Sequence, residues 1–204
     1  MDAATIRISE FYDETGWQCG RPLDLRGAEG ANCYCSEDAY RRIREALESI
    51  GGEGLCFIDT GDYHYITYLR MEFIREPFCL LLIDNHPDDQ RGAFDADTLS
   101  CGNWVAFARE RLEMLKEDDG KLPVFISVDT DALSREYART DWSQGTMTVK
   151  ELEDIVSART LGRRIIGVDI CGGLTEAKGA TGEDQATNRK LMCELADFFL
   201  KKRN

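Results

Sequence analysis

Four short runs constrain this chain more than anything else in it. Leu55-Cys56-Phe57-Ile58, Phe78 to Ile83, Val124-Phe125-Ile126-Ser127-Val128 and Ile165-Ile166-Gly167-Val168 are apolar at nearly every position, and each leads into an aspartate: Asp59, Asp84, Asp129 and Asp169. Strands apolar on both faces are covered on both faces. The intervening segments have helical spacing. Ser36 reads as an N-cap before Tyr40, Ile43, Leu47 and Ile50, with Gly51-Gly52 as the stop. Asn103 to Lys116 places Val105, Phe107, Ala108, Leu112 and Leu115 on one side of a helix. Thr148-Val149-Lys150-Glu151 matches a capping box opening a helix to about Arg159, and Gln185 to Lys202 is the last helix. Residues 66–75 read as helix or loop. Alternating strands and helices of this kind predict an α/β fold, a three-layer αβα sandwich around a mainly parallel sheet. The first 35 residues give little beyond a strand opening at Ile6-Arg7-Ile8-Ser9. Without repeats or a Pro/Ser-rich linker, the 204 residues are expected to form one domain, 1–204.

The net charge of −13, from 38 acidic and 25 basic residues, disfavours nucleic acid and anionic membrane as partners. The apolar runs are far too short to span a bilayer. Met1-Asp2-Ala3-Ala4-Thr5-Ile6-Arg7 lacks the basic start and apolar run of a signal peptide, so the expected location is cytoplasmic. Four of the eight cysteines, Cys56, Cys79, Cys171 and Cys193, sit in apolar stretches and read as reduced, buried small hydrophobes. Cys33-Tyr34-Cys35 is too tight for a zinc knuckle.

In a parallel α/β sheet the ligand site lies outside the carboxyl ends of the strands. The chain's two histidines fall there, His64 after the first run and His86 after the second, with Asp84, Asp88, Asp89, Asp129, Asp131 and Asp169. In extended backbone Asp84, His86 and Asp88 share one direction, and Asp129 and Asp131 another. So many carboxylates together repel one another or are forced to protonate, and no cluster of Lys or Arg stands nearby in sequence to neutralise them. Divalent cations answer that repulsion. Mixed imidazole and carboxylate ligands suit Mn²⁺, Fe²⁺ or Zn²⁺ better than Ca²⁺ or Mg²⁺. Two such ions about 3.5 Å apart can share a hydroxide formed near neutral pH.

The motifs resemble those of the arginase/agmatinase (ureohydrolase) superfamily over roughly residues 55 to 173. Asp84-Asn85-His86-Pro87-Asp88 is similar to its Asp-x-His-x-Asp motif, and Ser127-Val128-Asp129-Thr130-Asp131 to its Ser-x-Asp-x-Asp motif. Gly61-Asp62-Tyr63-His64 resembles its Gly-Gly-Asp-His motif with one extra residue. The resemblance implies an arginase/deacetylase-like fold and two metal ions, Mn²⁺ first. One would be held by His64, Asp84, Asp88 and Asp129, the other by Asp84, His86, Asp129 and Asp131. Gly61-Asp62-Tyr63-His64-Tyr65, Leu99-Ser100-Cys101-Gly102-Asn103-Trp104, Asp141-Trp142-Ser143-Gln144-Gly145 and Gly167-Val168-Asp169-Ile170-Cys171-Gly172 point to a short arginase-like branch.

The departures matter as much. Ser100-Cys101-Gly102-Asn103-Trp104-Val105 supplies no counterpart of the family's proton-transfer histidine. Asp169-Ile170-Cys171-Gly172-Gly173 has glycine where arginases use a glutamate to pair the guanidinium. The expectation is therefore a binuclear metal-dependent hydrolase of a C–N bond in a small amidino, amide or acetylated-amine substrate, and not an arginase. Asp88 or Asp131 would carry the proton to the leaving amine. Asp62, Cys101, Asn103, Asp141, Trp142, Gln144 and Asp169 are candidates for substrate contact or support of the ligands. Four of them also have a plainer reading: Asp62 as a solvated loop residue, Cys101 as packing, Trp142 as cover for the sheet edge, Asp169 as the partner of Arg163 or Arg164. The family implies a homo-oligomer. Two other functions are weighed: a metal-binding arginase-like protein without turnover, and a Mg²⁺-dependent phosphatase with Asp129 as nucleophile.

Overall fold

The computed structural model describes residues 2–90 and 97–202. In chain order the elements are β1 (Ala3–Arg7), α1 (Phe11–Thr15), β2 (Arg21–Asp24), β3 (Tyr34–Cys35), α2 (Glu37–Leu47), β4 (Gly54–Phe57), α3 (Ile66–Met71), β5 (Cys79–Ile83), β6 (Leu99–Ser100), α4 (Trp104–Arg111), β7 (Val124–Asp129), α5 (Val149–Arg159), β8 (Ile165–Cys171) and α6 (Gly182–Lys201). Six strands form one sheet in the order β2-β1-β4-β8-β7-β5, with every neighbouring pair parallel. β3 and β6 pair antiparallel as a separate ribbon.

Strand alternation sorts the apolar residues into two cores, one on each face. Cys56, Ile58 and Phe125 face Ile43, Leu47, Leu69, Val105 and Ala108 of α2, α3 and α4. Leu55, Phe57, Ile126, Val128 and Val168 face Phe11, Leu152, Val156, Leu191 and Phe199 of α1, α5 and α6. The result is the three-layer αβα sandwich the sequence predicts. Its helix starts are chemically defined. The Ser36 hydroxyl accepts from the Ala39 N–H at 3.2 Å, and Thr148 with Glu151 closes a capping box. Thr181 and Asp184 close another, which starts α6 three residues before the expected Gln185.

Two boundaries differ instructively from the pattern. The helix expected over Asn103–Lys116 stops at Arg111, and Leu112 is extended (φ −94°, ψ 101°). The following residues bond instead to the start of β5, through Phe78 N–H to Met114 O and Lys116 N–H to Phe78 O. β8 continues three residues past Val168, so Asp169 lies inside the strand, where Arg70 compensates its charge. β2, β3 and β6 were not legible: β2 is a largely exposed edge strand, and the other two hold two residues each. Among the described residues no helix is long and apolar enough to cross a membrane.

Candidate metal centre

The carboxyl ends of β4, β5 and β7 deliver the candidate ligands. A single 3-10 turn, Gly61–Tyr63, carries the chain from β4 to His64. Asp84 follows β5, and Asp129 ends β7. The segments beyond are not extended, so simple alternation is the wrong reason for their convergence. Asp84 Oδ1 accepts from the His86 N–H at 2.7 Å, and Asp129 Oδ1 from the Asp131 N–H at 2.9 Å. Each is a turn closed by an aspartate on the amide two residues on. The same device at two strand ends brings residue i+2 back beside residue i. Asp88, at φ +47°, completes the β5 loop.

His64 Nδ1 lies 3.0 Å from Asp88 Oδ2, 3.3 Å from Asp84 Oδ2 and 3.5 Å from Asp129 Oδ2. His86 Nδ1 lies 2.8 Å from Asp131 Oδ2 and 3.7 Å from Asp84 Oδ1. Ligand atoms of His64, Asp84 and Asp129 fall within 4.8 Å of one another, as do those of Asp84, His86 and Asp131. Asp84 is common to both sets. The outer ring nitrogens are tied off symmetrically: His64 Nε2 to Ser127 Oγ and His86 Nε2 to Ser143 Oγ, both at 2.8 Å. Asp131 Oδ1 takes the Asn85 N–H at 3.1 Å, and Asp88 Oδ2 the Trp104 indole N–H at 2.7 Å. Asp84, Asp129 and Asp131 thus each tie one oxygen to backbone and turn the other inward.

That leaves buried polar atoms unused. His64 Nδ1 and Asp84 Oδ2 have no hydrogen-bond partner despite the short distances. The atoms are close, yet no hydrogen bond joins them. Among the described residues no Lys or Arg pairs with Asp84, Asp88, Asp129 or Asp131. The protons show the crowding. Burial, with Asp84 beside it, lifts the Asp131 carboxyl to about 6. Burial and Asp131 push Asp129 well up, and burial raises Asp88. For Asp84 burial is outweighed by His64 and His86, and its carboxyl is held low. For His64 burial is outweighed by Asp84, Asp88 and Asp129, and the imidazole is pushed well up. Orphaned donors, inward carboxylates and two imidazoles held from behind fit divalent cations.

No family model matches the chain. A curated relative, an uncharacterized protein from Thermotoga maritima, is 28% identical over 145 residues, 58% of either chain. The matched part is therefore under two thirds of that relative's length. Two solved structures are similar across nearly the whole chain. The agmatine ureohydrolase of Thermoplasma volcanium superposes with a TM-score of 0.63 at 12% identity, covering 99% of this chain and 91% of that one. The formiminoglutamase of Trypanosoma cruzi, solved with Mn²⁺, gives 0.61 at 9% identity, covering 99% and 94%. The fold is the ureohydrolase fold.

On that fold the remaining candidates separate. A pocket of about 240 Å³ opens over the cluster, and Cys101, Asn103 and Trp142 line it. Cys101 is buried and its thiol is pushed up by burial, Cys33, Asp88 and Asp62, so it is no ready nucleophile. Asn103 spends both amide atoms inside its own loop, on Ser100 N–H and Thr98 O. Trp142 packs edge-on against His86 at 6.0 Å. Asp62, Asp141, Gln144 and Asp169 do not line the pocket. Asp62 and Asp141 share Lys178, and Asp62 also holds the Trp142 indole N–H at 3.2 Å, so this clamp fixes the rim. The Gln144 amide nitrogen donates to Leu133 O and Ala138 O at 3.1 Å, away from the site. Asp169 is fully buried and paired with Arg70, neither at the pocket nor with Arg163 or Arg164.

Ser127, Ser143, Trp104 and Lys178 are supporting residues to which motif reading assigned no role. The first three lie inside the motifs quoted above; Lys178 lies in none of them. The glycines where arginases place a glutamate have a steric reason in this chain. A Cβ on Gly172 (φ +114°) would sit 2.2 Å from Thr130 Oγ1 and 2.9 Å from Asp129 Oδ1; one on Gly173 would sit 2.4 Å from the Phe11 ring.

Proposed function

We propose that this chain is a metal-dependent hydrolase of C–N bonds in small molecules, and that it is not an arginase. The observation that carries the reading is the convergence of two imidazole nitrogens and the inward oxygens of Asp84, Asp129 and Asp131 on points that no protein donor or cation fills. His64, Asp84, Asp88 and Asp129 would hold one ion, and Asp84, His86, Asp129 and Asp131 the other. Mn²⁺ is the first choice, given the Mn²⁺ in the formiminoglutamase of the same fold, with Fe²⁺ or Zn²⁺ as alternatives. When bound, such ions supply Lewis acidity, lowering the pKa of water to near neutral and offsetting charge that develops on the substrate.

The chain's own residues do the rest. Ser127 and Ser143 fix the ring orientation of the histidines, presenting Nδ1 inward. Asp131, whose Oδ2 faces His86 Nδ1 at 2.8 Å, is the first candidate to pass a proton to a leaving amine. Asp88 has one oxygen on the Trp104 indole and is the second candidate. Gly172 and Gly173 leave no room for a guanidinium-pairing carboxylate. The substrate is then an amidino compound recognised without that carboxylate, or an amide or acetylated amine. The phosphatase reading is weaker, because Asp129 is buried and no described Lys or Arg stands beside it to hold a phosphate.

Metal analysis of the purified protein beside a His86→Ala variant tests the centre. Two transition-metal ions per chain are expected, reduced to one or none in the variant. A protein that stays metal-free in Mn²⁺, Fe²⁺ and Zn²⁺ ends the reading. Full loading with no release of ammonia, urea or acetate from a broad amidine and amide panel supports a metal-binding protein without turnover.

A further inference from the structure

A second pair of chemically active groups faces the same pocket and takes no part in holding ions. β3 and β6 pair with Tyr34 opposite Ser100 and Cys35 opposite Leu99. One step further along that register, Cys33 stands opposite Cys101, and the Cys101 N–H donates to the Cys33 carbonyl at 2.9 Å. The two thiols are neighbours, both line the pocket, and both are free. Opposed residues of an antiparallel pair have Cα atoms about 4.5–5.5 Å apart, within the roughly 4.4–6.8 Å that a disulfide spans. Cys33 is held at φ +58°; among the described residues the other non-glycine residue at positive φ is Asp88, on the same pocket wall.

Two uses of such a pair can be told apart on the page. As soft-metal ligands the sulfurs would need a third donor, and Asp62 stands beside Cys33. Yet the thiols belong to neither group of three or more ligand atoms that close to coordination distance among the described residues. A bond between the two sulfurs needs no third donor. Among the other cysteines, Cys35 Sγ turns to the Ser36 carbonyl, Cys79 Sγ meets Arg163, Cys171 Sγ turns to the Asp59 and Thr60 carbonyls, and Cys193 is exposed on α6 near Cys19, away from the pocket lining.

We propose that Cys33 and Cys101 form a reversible disulfide in the pocket wall. Cys33, the more exposed of the two, attacks a low-molecular-weight disulfide as its thiolate. One small thiol departs with the electron pair and takes up a proton. Cys101, losing its own proton, then displaces the second small thiol from the mixed disulfide. The two protein sulfurs give up two electrons, the external disulfide gains them, and two protons leave with the two released thiols. Burial, with Asp62 adding to it, pushes the Cys33 thiol up to about 11, so the first step is slow at neutral pH. Burial also disfavours the Cys101 thiolate, so the second step relies on the mixed disulfide being formed on its immediate neighbour. The bond ties β3 to the turn after β6, where Gln90 N–H meets Gly102 O at 3.0 Å and Trp104 holds Asp88. The oxidation state of the pair is therefore coupled to the wall beside the candidate ligands.

Mass spectrometry of the full chain tests this without bound ions or turnover, so it stands or falls separately from the hydrolase reading. The protein is incubated with excess oxidised glutathione at mildly alkaline pH, alkylated, digested and mapped. The expected product has lost two hydrogens, joins the Cys33 and Cys101 peptides, and reverts in dithiothreitol. Cys33→Ser and Cys101→Ser should each abolish the cross-link, and Cys101→Ser should leave one glutathionyl group on Cys33; Cys35→Ser should leave the cross-link intact. Glutathionylation of exposed Cys193 confirms that the oxidant acted. A Cys33–Cys35 link, or alkylation of both Cys33 and Cys101 under conditions that modify Cys193, overturns the proposal.

Discussion

Replacing Gly172 by alanine isolates the feature that most separates this pocket from an arginine site. Gly172 follows β8 at φ +114°, and an added Cβ would lie 2.2 Å from Thr130 Oγ1, 2.9 Å from Asp129 Oδ1 and 3.1 Å from Thr130 N. Thr130 is fully buried, and its neighbour Asp129 is anchored to the Asp131 N–H, so neither can retreat cheaply. Backbone strain for a non-glycine residue there costs on the order of 1–3 kcal/mol. Overpacking a filled site costs about 1–3 kcal/mol more. A destabilisation of roughly 4 kcal/mol is expected, a fall in Tm on the order of 10 °C for a chain of this size. Gly162→Ala is the control: its φ is +71° but nothing lies within 4 Å of its Cβ. It should lose only about 1 kcal/mol. Urea midpoints of both variants separate clash from strain. If Gly172→Ala is no less stable than Gly162→Ala, the steric explanation for the missing glutamate is wrong. Gly172→Glu, by the same geometry, should not confer arginine hydrolysis.

Two further outcomes follow from buried charge. Arg70→Met strands the Asp169 carboxylate in the core and should cost about 3–5 kcal/mol, much of it recovered in Arg70→Met/Asp169→Asn; a coupling near zero in urea-denaturation cycles would refute the pair's role. In metal-free protein, Asp131 keeps its proton in the folded state up to about 6 against 3.8 in its unperturbed form. The folded chain then binds more protons than the unfolded one, so this carboxyl makes stability fall as pH rises from 4 to 6, by up to about 3 kcal/mol. Raised Asp129 and Asp88 act in the same sense, low-lying Asp84 in the opposite one. Urea midpoints in EDTA at pH 4.5 and 7 should show the loss, and Mn²⁺ at pH 7 should reverse it; stability climbing steadily over that range without metal would contradict the crowding.

The sheet's central strands, the capped helices and the six candidate ligands were legible because each rests on local chemistry. A run apolar on both faces has to be buried. Thr148 with Glu151 caps a helix start wherever it lies. Asp84 and Asp129 close their turns on amides only two residues away. What stayed hidden depends on partners far along the chain. Asp169 looked like a site residue because it follows an apolar run; Arg70, 99 residues distant, makes it a core ion pair instead. Lys178 reaches Asp62 across 116 residues, and Ser143 reaches His86 across 57. No periodicity encodes such meetings.

The same distinction orders the pocket. Its floor is made by strand ends of the central sheet, β4, β5 and β7, whose register is fixed by two buried cores. Its wall is assembled from the β3–β6 ribbon, the Asp141–Gly145 segment and Lys178, which the sheet does not fix. The floor's geometry therefore follows from burial, and the convergence of the candidate ligands with it. The wall's contacts are polar, long-range and few. A branch of this fold can keep its cup of carboxylates and imidazoles while exchanging everything that touches a substrate. Gly172 and Gly173 follow β8 and pack against Asp129, Thr130 and Phe11, which closes that position to any side chain.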